Sequence, residues 1–126
     1  MPKDQPSIGL GHRHDWEGVV VWIDSLNSAN QKIAAVSTSS HGNFNKFVGS
    51  KAPLDGSRAL IRYFNIWPTN HQTGVTNKKG GEQPLIAWES LTEAARVGLS
   101  ERDFGSATVP FKDSTFEGNL EKAYFQ

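Results

Sequence analysis

Along the chain the spacing of apolar residues changes character three times. Residues 1–16 show no apolar period and are punctuated by Pro2, Pro6, Gly9 and Gly11, which reads as loop. Gly18-Val19-Val20-Val21-Trp22-Ile23 is then apolar at odd and even positions alike, which predicts a central strand covered on both faces. Lys32 to Thr38 reads as a second strand, joined to the first as a hairpin across the polar turn Asn27-Ser28-Ala29-Asn30. Ser39 to Asn45 reads as a small-residue loop containing His41 and Gly42. A third strand is expected over Ala59 to Ile66, with Leu60, Phe64 and Ile66 on one parity. Trp67 to Gln83, rich in Gly, Asn and Thr, reads as one long loop, a length that in compact domains accompanies function or motion.

The period then switches from two to nearly four. Trp88, Leu91, Ala95 and Leu99 recur at helical spacing, and Gly98 reads as a stop signal near the helix end. Glu89 and Glu93 precede Arg96, the order a helix dipole favours. A second helix is expected from Ser114, which stands three residues before Glu117 in capping-box spacing. The elements add up to a mainly β protein with one or two helices. The run at Val19–Ile23 calls for neighbours on both sides, and the sequence supplies few. Strands lying before residue 1 are therefore expected.

Composition narrows the classes. With 126 residues there is room for one domain. Thirteen basic residues balance thirteen acidic ones, which leaves no electrostatic footprint for nucleic acid and no polybasic membrane patch. Cysteine is absent, so these residues form neither a disulfide framework nor a thiolate metal site. No stretch approaches the ~20 apolar residues that cross a bilayer as a helix. The polar start Met-Pro-Lys-Asp-Gln-Pro is unlike a signal peptide.

Candidate chemistry concentrates at the entrance of the first strand. His12, His14, Asp15 and Glu17 crowd together there, and Asp15 and Glu17 are two apart, so their carboxylates can project to one side. With His12 from the preceding loop and Asp4 from the Pro-Lys-Asp-Gln-Pro turn, three oxygens and one nitrogen make a hard site suited to Ca²⁺, Mg²⁺ or Mn²⁺. His14 is expected to hydrogen-bond behind these ligands, and Arg13 to pair with a carboxylate. Two other readings stand beside this one. The cluster can be loop residues satisfying backbone groups, or a cupin-like metal enzyme site built on His12, His14 and Glu17. Trp16, Trp22 and Trp88 are expected to pack inward.

The segment Gly11-His12-Arg13-His14-Asp15-Trp16-Glu17 resembles the heptapeptide signature of the necrosis- and ethylene-inducing-peptide-like proteins, or NLPs. Trp67-Pro68-Thr69-Asn70-His71 is similar to the family's Trp-Pro loop, and the stretch from Phe104 to Asp113 to its C-terminal block, so the likeness runs through essentially the whole chain. It implies an actinoporin- and fungal-lectin-like β-sandwich with helices. Full-length members carry a further N-terminal segment, so residues 1–126 are expected to be the C-terminal part of a single domain, monomeric, with N-terminal sandwich strands missing.

The resemblance also implies a secreted microbial toxin and virulence factor rather than an enzyme. Its targets would be the head groups of plant plasma-membrane glycosylinositol phosphorylceramide sphingolipids, bound with Ca²⁺ or Mg²⁺, and plant immune receptors would be further partners. The family's cation ligands fall on Asp4, His12, Asp15 and Glu17. Its glycan- and membrane-contacting residues fall on Trp67, Asn70 and His71, with His41 in a neighbouring loop. A non-lytic glycan-binding or immunogenic fragment is the alternative.

Overall fold

A computed structural model describes residues 14–27, 30–66 and 70–126; Asp4, His12, Arg13 and Trp67 lie outside them. Strands β1 (Val19–Ile23), β2 (Ile33–Ser40) and β3 (Asn43–Val48) form an antiparallel sheet in the order β1-β2-β3. The expected hairpin between the first two strands is present. The expected loop after Thr38 is not. β2 continues to Ser40, reverses at His41-Gly42, and returns as β3, which pairs Ser40 with Asn43. His41 and Gly42 both take positive φ, 51° and 76°, the left-handed pair that closes a two-residue hairpin turn.

Two short strands, β4 (Leu54–Asp55) and β5 (Arg58–Ala59), pair with each other. β6 (Ile61–Ile66) and β7 (Asn70–Val75) make a further antiparallel hairpin. β7 corrects the single long loop expected from Trp67 to Gln83. Polar residues are natural in it: Gln72 and Thr73 are buried where β7 lies against β2, and they spend their side chains on hydrogen bonds.

The strand expected to be central and covered on both faces is neither among the described residues. β1 stands at the end of the sheet order. Its register places Val21 opposite Val36 and Trp22 opposite Ala35, so the two parities face opposite ways. The Trp22 side is covered by the C-terminus: the indole Nε1–H donates to Ser37 Oγ at 3.3 Å, and the ring lies edge-on to Tyr124 at 5.4 Å. Ser37 Oγ in turn donates to the Ala123 carbonyl at 2.7 Å. The other side, carrying Val19, Val21 and Ile23, is open, with Val21 44% exposed. Along β2 both parities are covered, and Ala35, Val36, Ser37 and Thr38 are fully buried. The core therefore centres on β2.

The helices also start differently from expectation. Trp88–Ser90 forms a 3₁₀ turn, Leu91 is extended, and α1 runs Glu93–Glu101. Thr92 caps it, its Oγ1 accepting from the Ala95 N–H at 3.3 Å. Gly98 lies inside α1 and does not stop it. Helix α2 spans Asp113–Ala123 with Lys112 at its N-cap, so the Ser114–Glu117 capping box does not form. Thr115 bonds the Val109 carbonyl instead, at 2.7 Å. Trp16, half-buried, lies edge-on to Phe104 and Phe111, and Trp88, also half-buried, lies edge-on to Phe111.

Candidate functional site

The residues between the aromatic cluster and β1 alternate in direction. His14 lies edge-on to Phe104 at 5.5 Å, beside Trp16. Asp15 and Glu17 line a groove of about 470 Å³ instead. One wall of that groove is the β2–β3 turn with Ser39, Ser40 and His41; the other is the stretch Ser106–Thr108 with α2. Two contacts hold α2 there. Asn119 Nδ2 donates to the Pro110 carbonyl at 2.8 Å, and Lys122 Nζ donates to the Gly42 carbonyl at 3.3 Å.

Glu17 is the most embedded of these acids. Its carboxylate accepts from Ser39 Oγ and, at 3.3 Å, from Thr73 Oγ1. Ser39 Oγ also accepts from the Gly18 N–H at 2.8 Å, which fixes the loop–strand junction against β2. Burial pushes the Glu17 carboxyl above its ordinary range. The Ser39 hydrogen bond works against that rise, and the nearby Asp15 charge adds to it. Asp15 points its Oδ2 toward Tyr63, whose hydroxyl donates at 3.2 Å. The Tyr63 ring stacks on His71, with centroids 5.2 Å apart and planes 13° from parallel.

The structure thus brings Asp15, Glu17 and His41 to one groove and links His71 to it through Tyr63. Asn70 opens β7 opposite Ile66. Asp4, His12, Arg13 and Trp67 fall outside the described residues. Ser39, Tyr63 and Thr73 were not visible as site residues from the sequence. Strand residues whose polar side chains reach another element leave no local signal.

Two crowded carboxylates beside hydroxyl oxygens form a hard donor set. Burial is the main cause of the raised Glu17 carboxyl, with the Asp15 charge adding to it, and a divalent cation between the two would favour the ionised form of both. The chemistry of Asp15 and Glu17 therefore fits such an ion.

Fold and groove together define a β-rich protein with an acidic, hydroxyl-lined cleft between a hairpin turn and a helix. Residues 1–123 match the model of the family described as necrosis inducing protein (NPP1), and the chain belongs to that family. It is 50% identical over 125 residues to NLP effector protein 14 of Phytophthora capsici, covering 98% of this chain and 94% of that one. To NLP effector protein 10 of the same organism it is 47% identical, over 100% of this chain and 54% of the relative. It superposes with a TM-score of 0.91 on NLPPya in complex with glucosamine, at 52% identity, covering 100% of this chain and 59% of that one. A TM-score of 0.91 is also reached with the non-toxic HaNLP3 protein, at 37% identity and 98% and 58% coverage. The chain thus spans little more than half of the longer relatives and nearly all of the shorter one. The fold is that of the NLP toxins, mainly β with two α-helices among the described residues, and the cupin-like reading gives way to it.

Proposed function

We propose that this chain is a secreted phytotoxic effector that holds a divalent cation, Ca²⁺ or Mg²⁺ with Mn²⁺ as a substitute, and uses it to bind the sugar head groups of plant plasma-membrane glycosylinositol phosphorylceramides. Asp15 and Glu17 supply carboxylate oxygens, with Asp4 and His12 completing the set. The observation that carries the reading is the convergence of Asp15 and Glu17 on a groove large enough for a sugar ring. The glucosamine complex of a 52% identical protein of the same fold supports it.

A bound divalent cation would supply positive charge and open coordination positions for hydroxyl oxygens. The chain's own residues do the rest. Ser39 and Thr73 hold the Glu17 carboxylate in place, and Tyr63 holds that of Asp15. His41 and the Ser106–Thr108 stretch border the groove and offer polar contacts to a sugar. Trp67, Asn70 and His71 are assigned to the glycan and membrane side. Among the described residues no helix is long and apolar enough to cross a membrane, and damage would follow head-group docking without catalysis.

The test is dye release from vesicles containing plant glycosylinositol phosphorylceramide. Release with millimolar Ca²⁺ and none in chelator is expected, and Glu17→Gln should abolish it. Equal release in chelator would overturn the reading. A second reading has its own support. The non-toxic HaNLP3 protein has the same fold, which supports a reading in which the chain binds head groups, or engages plant immune receptors, without lysis. Cation-dependent binding to these vesicles with no dye release would select it.

A further inference from the structure

One face of the β6–β7 hairpin is keyed to both acids at once. In the register, Tyr63 stands directly opposite Thr73, so the two side chains lie on the same face, and His71 is their diagonal neighbour on it. Tyr63 donates to Asp15 Oδ2 at 3.2 Å, and Thr73 to Glu17 Oε2 at 3.3 Å. The Ser39 carbonyl, 3.1 Å from Thr73 Oγ1, is the alternative acceptor for that single hydroxyl proton and ties the same face to β2. The opposite face, with Arg62 lying over the Phe64 ring at 4.2 Å, has no part in this. The hairpin therefore reaches each carboxylate through a separate hydroxyl. It also carries His71, stacked on the ring of Tyr63.

We propose that Tyr63 is a positioning residue that couples the cation-binding carboxylate of Asp15 to His71, the residue assigned above to the glycan side. Its hydroxyl orients the Asp15 carboxylate, and its ring sets the plane of His71. A two-stranded element that holds Asp15 through one side chain and stacks His71 on the same side chain lets occupancy of one site favour occupancy of the other. Such coupling is reciprocal: whatever factor calcium adds to sugar affinity, sugar adds to calcium affinity. This inference rests on the cation-and-sugar reading above. It adds the claim that the two bindings are linked through one phenol.

Tyr63→Phe separates the two roles, because it removes the hydroxyl and keeps the ring. The probes are CaCl₂ alone, by calorimetry, and glucosamine with and without saturating calcium. Tyr63→Phe should weaken calcium binding about three- to tenfold, the loss of one hydrogen bond to a charged group at a half-open site. It should also bring the calcium-induced gain in glucosamine affinity toward one while leaving the thermal midpoint near wild type. Tyr63→Ala, which removes the stack as well, should weaken glucosamine binding at saturating calcium beyond the Phe variant. Wild-type calcium affinity and wild-type coupling in Tyr63→Phe would overturn the inference and leave the functional reading standing. A wild-type chain that takes up no calcium would overturn both.

Discussion

Glu17 shows how one side chain is set by its surroundings. Its folded-state carboxyl titrates above the ordinary 4.5, mainly because it is buried and also because Asp15 is near. The consequence for stability has a definite sign. Below 4.5 the group is protonated in both states and carries no cost. As pH rises from 4.5 through the raised value, the unfolded chain ionises first and the folded state loses stability; above that value the loss is complete. In cation-free protein, Glu17→Gln should therefore raise the urea midpoint relative to wild type more at pH 7 than at pH 4. A difference that does not change with pH would sink the assignment. Calcium should reverse the order at pH 7, because it stabilises only the chain that retains the carboxylate. Spacing alone indicated that Asp15 and Glu17 share a side. The Ser39, Thr73 and Tyr63 hydroxyls that hold them come from positions 22 to 56 residues away, and nothing local announces them.

At the scale of elements, β6–β7 is the hairpin the sequence pattern hid. The stretch around Asn70 and Gly74 looks like loop because strands are depleted in Asn and Gly, and branched Thr73 alone does not offset them. Here pairing with β6 and burial against β2 override propensity, and Gly74 has a specific reason to be small. A Cβ at that position would sit 2.8 Å from Phe64 Cε1, and Phe64 also carries Arg62 over its ring. Gly74→Ala should cost about 1–3 kcal/mol in denaturant unfolding, the usual range for an overpacked site. A neutral result would mean that the Phe64 ring moves freely. The helices make the same point. Apolar spacing located the first and capping-box spacing the second, but their first turns follow Thr92 and Thr115 hydrogen bonds rather than the nominal start signals.

For the whole molecule, stability rests on a small core. Its largest fully buried side chains are Val36, Val109, Thr38 and Ser37, while Val21, directly opposite Val36, is open to solvent. Val36→Ala should cost about 2 kcal/mol, two buried methyl groups plus a cavity. Val21→Ala should cost less than about 1 kcal/mol, since little of its surface leaves water. Equal costs, measured by urea unfolding of this chain, would mean that the β1 face is covered in solution. The contrast also corrects the expectation of a doubly covered strand. Apolar residues on both parities report what a strand can bury, and only its neighbours decide what it does bury.

The order of residues alone determined the seven-residue signature, and with it kinship to the necrosis-inducing proteins. It also determined a β-rich chain ending in helices and a pair of acids two residues apart at a strand entrance. These are short-range properties, written in spacing and residue type. Tertiary structure decided which face of β1 is covered, that a polar stretch pairs as β7, and that one hairpin face reaches both acids while carrying His71. Those depend on segments distant in the chain meeting in space, where packing and the need to satisfy buried hydrogen-bonding groups outweigh local preference.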